Sequence, residues 1–227
     1  MKVDTMNLDT KKRTTSVLTL VGVAAVILFF VGLVTDHFLL RMVTKPVPVL
    51  CLALWVFLGQ RGRYGTFITG GLVFSALGDI LLEYSEQTFL PGVLAFLFAH
   101  IFYIGAFLSR TRTLKLLYAV PFAVWGLLVY VLLFSNLGGM TVPVALYVVV
   151  ICIMMWRASA QIGTEDASPF DERAGALGAV SFGLSDTLIA LNRWYTPIPQ
   201  ARYFIIVYTP WVKFFYRFWP LVFNLIQ

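Results

Sequence analysis

Three ionisable side chains stand inside long apolar runs of this 227-residue chain: Asp79, His100 and Asp186. A charge at the centre of a bilayer costs at least ~2.5–3.5 kcal/mol on insertion scales, so such groups are the first place to look for function. Asp79 shares a helix face with Ser75 and Gly71 at steps of four, and Asp186 lies near a face formed by Gly183, Ala179 and Gly175. Small residues beside each carboxylate permit close helix packing or leave room for a ligand. His100 shares a face with Tyr103, three residues on, and Phe96, four back. Two carboxylates at one poorly solvated site divide acid and anion roles between them, because like charges held close do not both form. The plainer reading of all three groups is hydrogen bonding between neighbouring helices. Lys45, at the outer start of an apolar run, either binds an anionic headgroup phosphate or snorkels to the interface, and Asn192 and Arg193 close another run.

The elements that must hold these residues are membrane spans. The chain is 59% hydrophobic and only 12% charged, against about 25% charged in a soluble domain. Residues 1–16 form a polar, basic tail, and 17–227 read as an all-α polytopic bundle of about eight spans. The runs are Val17–Thr35, Val47–Leu58, Thr66–Leu82, Phe89–Leu108, Leu114–Phe134, Val142–Trp156, Gly175–Leu191 and Tyr203–Ile226. With the N-terminus cytosolic, eleven basic residues (Lys2 to Arg173) fall inside and only Arg41, Lys45, Arg193 and Arg202 outside, as the positive-inside rule prefers. Arg157 beside Trp156 reads as an interfacial anchor, and the stretch from Arg157 to Ala174 as a solvated cytosolic loop. The net charge of +6 is scattered in short clusters, which suits anionic headgroups and not nucleic acid. Cys51 and Cys152 sit in different runs and read as packing residues. Nothing in the sequence points to a metal or cofactor.

Val47-Pro48-Val49 is echoed by Val142-Pro143-Val144, and the segment from Gly71 to Asp79 by that from Gly178 to Asp186. A shift of four spans would make a 4+4 parallel repeat with both aspartates at one depth. Chance similarity between Gly/Leu/Val-rich helices would give the same echo. Read from physics alone, paired intramembrane carboxylates in a parallel repeat suit a proton-coupled transporter.

One family resemblance covers nearly the whole bundle. The stretches from Lys45 to Leu52, Gly71 to Asp79, Phe89 to Tyr103, Trp156 to Ala158, Ser185 to Asn192 and Pro197 to Tyr208 resemble the lysoplasmalogenase or YhhN-like family, in its transmembrane protein 86 branch. From residue 209 the chain departs from the family pattern: Pro210, Lys213, Arg217 and Pro220 make a poor last helix. The resemblance implies hydrolysis of the vinyl ether bond of lysoplasmalogens, releasing a fatty aldehyde and glycerophosphocholine or glycerophosphoethanolamine, in the endoplasmic reticulum membrane and without a cofactor. Asp79 and Asp186 would then form the catalytic pair, with His100 and Tyr103 orienting water or substrate. Lys45, Asn192 and Ser75 would bind substrate.

Overall fold

A computed structural model describes residues 8–60, 62–164 and 169–197. All regular elements among them are helical: α1 (Leu8–Val34), α2 (Phe38–Thr44), α3 (Val47–Gly59), α4 (Arg63–Tyr84), α5 (Phe89–Arg110), α6 (Ala119–Leu133), α7 (Thr141–Ser159) and α8 (Pro169–Trp194). Seven helical segments are long and apolar enough to cross a membrane, one for each of the first seven runs. The eighth expected span, Tyr203–Ile226, and the divergent end of the chain lie outside the described residues. Many large apolar side chains on these helices are exposed, Leu127, Val131 and Val142 among them. Hydrocarbon is the solvent that such helices require.

The chain forms two compact units, Met1–Ala99 and His100–Gln227, the division falling within α5. In the first unit α1 packs on α2 and α3, and α3 on α4. Trp55 on α3 donates its indole N–H to the Thr15 hydroxyl of α1 at 3.1 Å. Helix α1 begins well before Val17, so the later part of the 1–16 tail continues the first span. Gly78 on α4 meets the Phe96 ring so closely that a Cβ there would lie 2.6 Å from it.

The second span is longer than the sequence predicts. Short helix α2 leads into α3 through Lys45 and Pro46, both still in the right-handed helical region. Neither Pro46 nor Pro48 can donate to the preceding turn, so the helix is interrupted while its direction persists. The crossing therefore runs from Phe38 to Gly59. Arg41 and Lys45, expected in the outer loop, belong to the span itself.

In the second unit α6 packs on α7 and α7 on α8. Leu133, Leu137 and Val144 form one buried cluster in it, with Ala190, Leu191 and Trp194 of α8 against them. Gly126 allows α6 and α7 to approach until the Cys152 sulfur would lie 2.5 Å from any added Cβ. The Cys152 thiol donates to the Phe122 carbonyl at 3.2 Å, a packing role of the expected kind.

Two expectations fail here. Arg157 is no interfacial anchor: it is buried and donates to the carbonyls of Thr113 at 2.9 Å and Thr111 at 2.5 Å. Nor is the segment after it wholly a solvated loop. Glu172 is buried and accepts from the Gly163 N–H at 2.8 Å and the Thr164 N–H at 3.2 Å. The physical reason is common to both. The α5–α6 connection and the turn after α7 expose backbone groups that need partners where water is scarce, and the two charged side chains supply them.

Candidate active site

The second unit gathers three polar side chains from three helices. Asp186 stands on α8, Tyr147 on α7 and His100 on α5. The Tyr147 hydroxyl donates a hydrogen bond to Asp186 Oδ2. His100 Nε2 lies 4.0 Å from that same oxygen, too far for a hydrogen bond but close enough to feel its charge. The imidazole is fully buried. Its ring meets the Tyr147 ring edge-on at 5.2 Å and the Phe182 ring at 4.9 Å. Phe182 lies one turn before Asp186 on α8, so the same helix supplies both the carboxylate and one aromatic wall.

Local sequence explains why α7 and α8 can come this close. Gly183, three residues before Asp186, faces Met155 of α7, whose sulfur would lie 2.6 Å from a Cβ at that position. Ala179, one turn earlier, is buried. Of the three small residues expected beside Asp186, Gly175 has nothing near it, so Ala179 and Gly183 make the close face. Tyr103, one turn from His100 on α5, is also buried. Asn192 lies in the last turn of α8, six residues past Asp186.

Asp79 stands on α4 in the first unit, with buried Ser75 one turn before it and Glu83 one turn after. Lys45 and Glu83 both lie within electrostatic range of Asp79. Lys45 does not simply snorkel: its Nζ is 3.1 Å from Glu83 Oε2. Arg41 Nε is 2.9 Å from Glu83 Oε1, and Arg41 Nη1 is 2.7 Å from Asp36 Oδ1. The expected pairing of Asp79 with Asp186 thus joins residues of different units. Among the described residues no three His, Cys, Asp or Glu side chains gather as metal ligands would.

Three of these residues are missing from the sequence-derived set. Tyr147 sits mid-span, far from the interfacial belt where tyrosine is ordinary, and a phenol at that depth needs a partner. Glu83 is one helical turn from Asp79 and Arg41 one turn from Lys45, so spacing from residues already chosen would have found both.

Residues 40–209 match the YhhN family. Lysoplasmalogenase TMEM86A of Homo sapiens is 37% identical over 172 residues, covering 71% of this chain and 70% of that protein. Lysoplasmalogenase TMEM86B of Homo sapiens is 35% identical over 164 residues, covering 71% of this chain and 67% of that one. A lysoplasmalogenase of Mycobacterium tuberculosis is 31% identical over 170 residues, covering 70% and 62%. No solved structure matches the chain. With three quarters of its length inside the family pattern and Asp79, His100, Tyr147 and Asp186 all within the matched residues, this chain belongs to the YhhN family.

Proposed function

We propose that this protein hydrolyses the vinyl ether bond of lysoplasmalogens, releasing a fatty aldehyde and the glycerophospho-alcohol. Family membership and the names of its relatives support the reaction class. The observation that carries the site is the Asp186–Tyr147–His100 constellation, an ionisable group with an ordered donor and a buried imidazole, all set inside membrane-crossing helices. The transporter alternative is set aside, because the curated relatives that the chain matches are named as lysoplasmalogenases.

The chemistry assigns roles. A proton added to the β-carbon of the vinyl ether leaves an oxocarbenium ion at the α-carbon. Water adds to that cation and gives up a proton, and the resulting hemiacetal breaks its C–O bond to the glycerol oxygen, which leaves as the alcohol. Every atom is accounted for by the lipid and one water. The reaction needs one proton donor and, opposite the cation, an acceptor group that also orients water. Asp186 accepts from the Tyr147 hydroxyl and is presented as an acceptor, which suits the cation and the attacking water. His100, at 4.0 Å from it, is placed to take the proton that water loses. The family resemblance supports Asp79, with Ser75 one turn before it on α4, as the donor of the first proton. Tyr103 and Asn192 bind substrate around this chemistry.

The family resemblance favours the endoplasmic reticulum membrane, and the charge asymmetry between loops supports a cytosolic N-terminus. One experiment tests the whole reading. Microsomes from cells expressing the chain should release aldehyde from a 1-alkenyl-lysophospholipid and nothing from its 1-acyl counterpart, with an N-terminal epitope open to added protease. Equal turnover of both lipids would point to an esterase, and no turnover by well-folded protein would remove the hydrolase assignment.

A further inference from the structure

The first unit holds a charged cluster that the carboxylate chemistry leaves unused. Arg41 and Lys45 lie one turn apart in the second crossing, and Glu83 is the residue before the last of α4. The two Glu83 oxygens are divided between them, Oε1 to Arg41 at 2.9 Å and Oε2 to Lys45 at 3.1 Å. A balanced buried pair needs one cation, and here two face one well-covered carboxylate. The other acid on Arg41, Asp36, has a side chain 90% exposed, where water weakens its charge. Asp79 also lies within electrostatic range of Lys45; in the protonated form that its proposed donor role requires it brings no counter-charge, and positive charge is then left over in an apolar segment.

Donor capacity is left over as well. An ammonium has three N–H groups, and Glu83 is the one acceptor for Lys45 among the described residues. Arg41 uses Nε on Glu83 and Nη1 on Asp36 and the Gly32 carbonyl, while Nη2 has no partner among the described residues. The Lys45 side chain keeps 21% of its surface, so its remaining donors are not sealed in.

Depth fits one chemistry. Arg41 and Lys45 are three and seven residues inside the crossing that begins at Phe38, about 5 and 10 Å along it. That is the outer third of a crossing that must span a hydrocarbon core about 30 Å thick, within snorkelling reach of the headgroups. On α4, Asp79 lies four residues, about 6 Å, further in than Glu83. A glycerol backbone sets a headgroup phosphate and the first-carbon ether apart by about the same length, close to one helical turn.

We propose that Arg41 and Lys45 form a two-cation site for the phosphodiester of a lysophospholipid headgroup, with Glu83 holding the cations in register. The site rests on the lysoplasmalogen reading and deepens it by naming what the enzyme grips. Two phosphate oxygens take the unspent Lys45 and Arg41 donors, and the lipid then presents its ether bond at the level of Asp79.

Binding of uncleavable saturated ethers tests this without turnover. The full chain in detergent is titrated with 1-O-hexadecyl-glycerophosphocholine and with 1-O-hexadecylglycerol, which lacks the phosphate. The wild type should bind the phosphodiester at least about 10-fold more tightly, the worth of one charge-assisted hydrogen bond. Lys45→Gln should erase most of that preference and Lys45→Arg should restore it. Arg41→Gln should act like Lys45→Gln, but it strips a buried partner, so the half-open Lys45 is the deciding position. Equal wild-type affinity for both lipids would overturn the site, as would a Lys45→Gln variant weakened equally towards both. Displacement by inorganic phosphate at concentrations matching the lipid would overturn its assignment to a lipid headgroup. An intact preference in a protein that releases no aldehyde would sink the hydrolase reading and leave the phosphate site standing.

Discussion

Asp186→Asn is expected to lower kcat for aldehyde release about 10³-fold, within the range for losing a group that acts on protons in the transition state. The amide keeps the size of the side chain and still accepts from the Tyr147 hydroxyl, so the α7–α8 contact survives. What it loses is the negative charge opposite the developing cation and the acceptor that aligns water. Tyr147→Phe separates positioning from chemistry. It keeps the ring against His100 at 5.2 Å and removes only the hydroxyl, so about a 10-fold loss in kcat with KM little changed is expected, the worth of one hydrogen bond to a charged group. Steady-state kinetics on both variants, with folding verified by size exclusion in detergent, decides the matter. Asp186→Asn retaining more than a tenth of wild-type kcat would remove Asp186 from the reaction.

Arg157→Met should be the most damaging change for stability outside the site, by about 3 kcal/mol. The guanidinium serves two carbonyls, Thr111 and Thr113, at the connection between α5 and α6. Methionine fills most of the volume but leaves both oxygens unmatched in a buried place, at about 1–3 kcal/mol each. Lysine, with its compact charge, reaches one carbonyl well and should fall between the two. Denaturation in detergent micelles reads the difference. A methionine variant within about 0.5 kcal/mol of wild type would mean that water reaches these carbonyls and that Arg157 is dispensable.

The sequence made the spans legible because an apolar run long enough to cross a bilayer has few other uses. It made Asp79, His100 and Asp186 legible for the converse reason, since ionisable groups are costly at that depth. Partners were harder to read. Glu83 and Arg41 stand near span ends, where charges are common, and only the geometry shows them joined. Tyr147 is hidden by composition, being counted as aromatic and apolar until its hydroxyl is found on Asp186. Arg157 and Glu172 were misread because a charge beside a span normally faces water. Their targets are backbone groups 44 to 46 and 8 to 9 residues away, which no periodicity reports. The second run reads as starting at Val47, whereas the chain already keeps helical dihedrals through Lys45 and Pro46.

The division of Glu83 between Arg41 and Lys45 also bears on the order of events at the translocon. The acid lies 42 and 38 residues downstream of its two cations, so the second span is complete before its counter-charge has been synthesised. A basic residue costs ~2.5–3.5 kcal/mol at mid-span and less nearer the end, so two unpaired cations three and seven residues into the crossing make that span's insertion less favourable before Glu83 arrives. A chain truncated at Gly62 should insert it incompletely, as read by glycosylation of an acceptor placed after it, and one extended through Tyr84 should insert it fully. The newborn protein would then hold its second span at the translocon until the third arrives, and the two would enter the bilayer as a hairpin already neutralised from within.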